Sequence, residues 1–117
     1  MFTIRAAQLE VFAELAEARF VEQRIDHVGQ FWPDVLAEQG REGVGGVVRA
    51  GMRRANAYGL STEYDVARFI DLLFILGASF DTDPAHPWAH ATLFATDLTP
   101  AEKMDVLCEK ALSAAAR

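Results

Sequence analysis

The sequence predicts an all-α fold, a bundle of about six helices forming a single helical domain over residues 1–117. Three observations predict it. Apolar residues recur at intervals of three and four along almost the whole chain, the period of a helix with one buried face. Thr99-Pro100-Ala101-Glu102 is a capping box with proline at the first helical position, which is a helix start signal. No stretch alternates polar and apolar residues with the period of a strand. At 117 residues, 51% hydrophobic and 24% charged, the chain has the balance of a soluble folded domain. It is also long enough to bury a core without disulfides or metal.

The first helix is expected over 4–29, capped by Thr3, with Leu9, Phe12, Leu15, Ala16 and Phe20 on one stripe that Ile25, Val28 and Phe31 continue. Pro33 suits a first helical position and starts a short helix that runs to Gln39 and stops at Gly40. Gly43, Gly45 and Gly46 follow. A phosphate loop would need a strand before them and a Lys-Ser/Thr pair after, but a helix precedes and Val47-Val48 follows, so a flexible connection is expected. A third helix over 44–58 carries Val44, Val47, Val48, Met52 and Ala55 and ends at Gly59. Ser61 or Thr62 caps a fourth helix near 62–77, and Glu63 and Asp65 suit its positive N-terminal end. Val66, Phe69, Ile70, Leu73, Phe74 and Ile75 cover much of its circumference, which makes it the central apolar helix. Prolines and aspartates over 80–87 predict an ordered loop, followed by a short helix to 95. The last helix begins at Thr99 with Met104, Leu107, Cys108, Ala111 and Leu112 as its inner stripe.

Charge narrows the function classes. Eleven basic against 17 acidic side chains give a net charge of −6, which argues against nucleic-acid binding through a basic surface. Residues 1–58 hold 7 basic and 8 acidic groups, whereas 59–117 hold 4 and 9, so the second half presents the acidic surface. The single Cys108 allows no intrachain disulfide, and no apolar signal core follows the start, so a cytoplasmic protein is expected. The longest uncharged apolar run, 72–80, is nine residues, against the roughly 20 needed to span a bilayer.

No set of residues has coherent catalytic roles, so no enzyme, catalytic residue or cofactor is expected. His86 and His90 stand four apart near Asp81 and Asp83, a spacing that can hold a metal on one helical face. Pro87 leaves His86 outside its helix, so no metal ligand is assigned, and a small metal-dependent enzyme remains only an alternative. Cys108, on an inner stripe, reads as a buried, inert thiol. Asp65, Arg68 and Asp71 form an i, i+3 ion-pair row. Asp71 interrupts the most apolar segment, where a charge needs a partner. The basic patch of Arg49, Arg53 and Arg54 is nearest in sequence, which makes Asp71, Arg49 and Arg53 the structural polar set. For partner binding, Glu63, Asp65, Asp81 and Asp83 offer an acidic face and Trp88 an aromatic anchor.

Three further stretches carry a family resemblance: Met1-Phe2-Thr3-Ile4-Arg5, then Ala57-Tyr58-Gly59-Leu60 with Thr62-Glu63, Asp65-Val66 and Arg68-Phe69-Ile70-Asp71, then Phe80-Asp81, Asp83-Pro84 and Pro87-Trp88-Ala89. Together they resemble a group of small proteobacterial proteins found beside type VI secretion effectors and their spike-tip proteins, and the likeness covers most of the chain. The glycines at 43, 45 and 46 depart from it. The resemblance implies a cytoplasmic accessory role with another protein, a secreted effector or toxin, as partner. That role is chaperone or adaptor for the effector, or alternatively immunity protein against a toxin. Homo-oligomerisation stays open.

Overall fold

A computed structural model describes residues 6–115, with side chains over 13–114. Five helices follow one another: α1 (Ala6–Phe31), α2 (Pro33–Ala57), α3 (Glu63–Leu76), α4 (Pro87–Leu93) and α5 (Pro100–Ala115). No strand occurs among the described residues. The Thr3 cap and the Leu9 and Phe12 side chains lie outside the described residues. Contacts group the chain into two compact units, 1–48 and 49–117, with the boundary inside α2.

In the first unit α1 and the start of α2 form an antiparallel hairpin. Trp32 alone separates them: its N–H donates to the Val28 carbonyl at 2.6 Å, and its own carbonyl accepts from the Val35 N–H at 3.0 Å. Pro33 then opens α2, where its missing N–H leaves nothing unsatisfied. Phe20, Val21, Ile25 and Val28 of α1 are buried, as are Val44 and Val48 of α2. Leu15 and Phe31, expected on the same stripe, are exposed. Gly40 (φ 73°, ψ 168°) is non-helical, so the expected break is present. The expected loose connection after it is not, because the helix resumes directly and carries Gly43, Gly45 and Gly46 within it. Gly45 packs against α1, where a Cβ would lie 3.4 Å from Ile25 Cδ1, an ordinary contact distance. Tertiary contact overrides the low helix propensity of glycine. The stretch from 33 to 57 is therefore two helical segments meeting at a kink at Gly40, the second starting directly after it.

In the second unit the end of α2 lies close against α3. A Cβ on Gly51 would sit 2.7 Å from Leu73 Cδ1 and 3.1 Å from Ile70 Cγ1. Gly59 (φ 88°) ends the helical run, as its spacing predicts. Thr62 caps α3, its hydroxyl accepting from the Asp65 N–H at 3.1 Å, and Gly77 (φ 116°) closes it. Phe69 and Ile70 of α3, with Leu60 and Phe80 from the flanking segments, are wholly buried. Phe69 stacks obliquely on Phe80 at 5.3 Å and on Tyr58 at 5.9 Å. The capping box forms as expected: Glu102 N–H donates to the Thr99 hydroxyl at 3.2 Å, and Thr99 N–H to the Glu102 carboxylate at 3.0 Å. That bonding lowers the Glu102 pKa.

Directions within this unit follow from the pairings. Arg68 meets Asp105, while Leu72 and Ile75 share a cleft with Cys108, Ala111 and Leu112, so α3 and α5 run parallel. Lys103 Nζ donates to the Leu93 carbonyl at 2.8 Å, and Trp88 lies near Ser113, so α4 runs back antiparallel to α5. The segment from 77 to 99 is thus the crossover that returns the chain to the start of α5.

Candidate functional site

Two polar clusters and one apolar cleft hold the chemistry of the second unit. The first cluster joins α2 to the loop after α3. Arg54 pairs with Asp81, whose other oxygen accepts from the Tyr58 hydroxyl at 2.6 Å, and Arg54 also donates to the Ala78 carbonyl at 2.6 Å. Asp81 is only 2% exposed, so these partners replace water almost completely. Tyr58 and Asp81, 23 residues apart in sequence, therefore meet at one point.

The second cluster joins α3 to α5. Arg68 donates to Asp65 and Asp105, each at 2.8 Å, and lies 4.5 Å above the Tyr64 ring. Burial weakens the Arg68 guanidinium as an ion, but the two carboxylates outweigh it and raise its pKa. Asp65 is buried, whereas the Asp105 side chain is 70% exposed. Asp65–Arg68 is the expected i, i+3 pair.

Beside this cluster opens a cleft of about 220 Å³ between α3 and α5, lined by Arg68, Asp71, Leu72, Ile75, Cys108 and Leu112, with Ala111 at its base. Its walls are almost wholly apolar. Cys108, expected to be fully buried, is intermediate and faces this cleft. Burial raises its thiol pKa, and Arg68 nearby opposes the shift. Leu112, expected on the inner stripe, is 73% exposed at the rim, and Ile75 is 47% exposed. Spacing alone puts both on apolar faces. Exposure depends on how far the neighbouring helix reaches, which spacing does not encode.

The expected acidic face is divided. Asp65 and Asp81 are buried against different arginines, which corrects their placement on a solvent face: a carboxylate this buried is held by its ion pair and cannot steer a partner. Asp83 is half-buried and accepts from the Ala85 N–H at 2.9 Å, a turn contact. Glu63 stays exposed in the first turn of α3. Trp88 is half-buried at 5.5 Å from His86 and lines a small cleft with Lys110, Ser113 and Ala114. Arg49 and Arg53 are exposed and Asp71 is half-buried. The seat of Gly51 against Ile70 and Leu73 brings the 49–53 stretch to the turn of α3 that carries Asp71.

His86 is the N-cap of α4 and His90 stacks on Phe94 at 4.4 Å, so the two do not share a helical face. Among the described residues no three of His, Cys, Asp and Glu group as metal ligands. No helix among them is long and apolar enough to cross a membrane. A larger cleft of about 430 Å³ lies between Tyr58, Phe94 and Leu98. Two of its polar side chains are engaged elsewhere, Tyr58 with Asp81 and Lys103 with the Leu93 carbonyl. Compared with protein-family models, curated proteins and solved structures, the chain gives no match.

Proposed function

We propose that this chain is a protein-binding accessory module of the bacterial cytoplasm, a chaperone or adaptor for an effector of type VI secretion, with α3 as its central apolar helix. The observation that carries the binding reading is the α3–α5 cleft, an apolar recess with Ile75 and Leu112 exposed at its edge. At about 220 Å³ it falls below the roughly 300–1,000 Å³ typical of small-molecule sites and suits one or two anchoring side chains of a protein. Arg68 at its edge is held between Asp65 and Asp105. The secretion context comes from the resemblance carried by residues 57–71 and 80–89.

Co-purification from the native host, with any partner identified and then co-expressed as the candidate effector, tests the reading. A stoichiometric complex that survives gel filtration is the expected result, and an effector that elutes alone overturns it. If the chain instead restores growth to cells poisoned by that effector, the immunity role replaces the adaptor role. Stoichiometric metal in protein purified without chelator or affinity tag would favour the metal-dependent enzyme.

A further inference from the structure

The α3–α5 cleft has a definite length, direction and charge. From Arg68 to Ile75 its α3 wall runs from position i to i+7, about 10 Å of helix. That matches the distance between positions i and i+7 on a docking helix, the spacing by which an amphipathic helix seats its anchors in a groove. The edge is negative. One guanidinium, Arg68, is shared between Asp65 and Asp105, which leaves that cluster a net carboxylate. Asp105 is largely exposed, and Glu109, one turn further along α5, is exposed as well. The two lysines of α5 turn elsewhere, Lys103 to the Leu93 carbonyl and Lys110 to the cleft beside Trp88.

We propose that this cleft docks a basic amphipathic helix of the partner, two aliphatic side chains entering between Ile75 and Leu112 while flanking lysines or arginines meet Asp105 and Glu109. The inference rests on the protein-binding reading and adds the chemistry of the docked segment. Charge decides between occupants. A second copy related by a two-fold axis would bring the same carboxylates against one another. A fatty acid or an anionic lipid headgroup would meet the same negative edge. A basic helix gains from it, both in encounter rate and in register.

Two synthetic helical peptides of three turns test this. Both carry leucine at i, i+3 and i+7; one has lysine and arginine at the flanking positions, the other glutamate. Fluorescence anisotropy should show saturable binding of the basic peptide, weakening as salt rises, and at least tenfold weaker binding of the acidic one. Leu112→Glu and Glu109→Lys should each weaken the basic peptide by roughly tenfold or more. Both positions are exposed, so circular dichroism should show both variants folded. Occupancy should also slow maleimide labelling of Cys108, the single thiol of the chain, which lines the cleft. Equal affinity for both peptides, no binding of either, or unchanged Cys108 labelling at saturation would overturn the proposal. So would a dimer that sedimentation detects in the parent and not in Leu112→Glu, since the occupant would then be a second copy. If Leu112→Glu still captures the effector at full strength, the cleft assignment fails while the adaptor reading stands. If the peptide binds as expected and no effector is captured, the adaptor reading fails and the cleft remains.

Discussion

Arg41 and Arg54 each hold two oxygen partners on another segment, yet their surroundings differ. Arg41, in the first unit, bridges Glu22 at 2.5 Å and Asp26 at 3.1 Å, and all three side chains are more than half exposed. Those carboxylates raise its pKa, but water and salt can answer each charge if the partner is removed. Arg54, in the second unit, is about one-third exposed and faces a carboxylate that is 3% exposed. Asp81 has no such substitute, so its partners are structural requirements. The contrast teaches that the worth of an ion pair follows the burial of its less exposed member. The same residue type serves as solvent-side decoration in one unit and as a loop anchor in the other.

The largest effect expected from this contrast is at Asp81. Asp81→Ala should cost about 3 kcal/mol in denaturant unfolding, the low end for a broken buried pair because Arg54 keeps some contact with water. A loss under about 1 kcal/mol would place the anchor elsewhere. Asp71 extends the test: a double-mutant cycle of Asp71→Asn with Arg49→Ala should return a coupling of about 1 kcal/mol. Additivity would show that Asp71 is answered by another group.

Glycines repeat the contrast between filled and open surroundings. Gly51→Ala gains about 1 kcal/mol of helix propensity but forces its Cβ into Leu73, so a net loss of about 1 kcal/mol is expected. Gly46→Ala meets nothing within 4 Å and should stabilise by about 0.5–1 kcal/mol. Thermal midpoints moving the same way in both variants would break the distinction.

At the start of α5, Thr99→Ala should lose about 1 kcal/mol by removing a cap. Glu102 has a lowered folded pKa, so its contribution is present above the ordinary glutamate range and lost as pH falls through the lowered value. Acid titration of Glu102→Gln should therefore lack part of the stability decline that the parent shows below about pH 4. The smallest effect closes the series. Arg41→Ala should leave the unfolding midpoint within error at 0.15 M salt, and a clear destabilisation there would erase the contrast between the two arginines.

The start of α5 was legible because Thr99, Pro100 and Glu102 act on amides three residues away. The stops at Gly40 and Gly59 were legible for the same local reason. The helix through Gly43, Gly45 and Gly46 was not, since glycine spacing reads locally as a break and only at Gly45 does α1 pack alongside. The Arg54–Asp81 pair spans 27 residues, and Arg68–Asp105 spans 37, so neither shows in a local pattern. The sequence placed the right carboxylates in the second half but assigned Asp65 and Asp81 to the surface, because local polarity does not reveal an arginine arriving from another helix. The cleft was hidden in the same way: Ile75, Cys108 and Leu112 read as core, and only the finite reach of neighbouring helices leaves them at an edge.

The shared direction of α3 and α5 has a practical corollary for tethering. Both helices finish at the Ile75–Leu112 end of the cleft, so the last described turn of α5 lies beside its mouth. A segment fused there is held at an effective concentration in the millimolar range for a short flexible linker. A C-terminal purification tag rich in basic residues would compete with a docking helix. The same geometry offers a gain-of-function route: a basic amphipathic peptide grafted after residue 117 should occupy the cleft in cis and shield Cys108 without any added ligand.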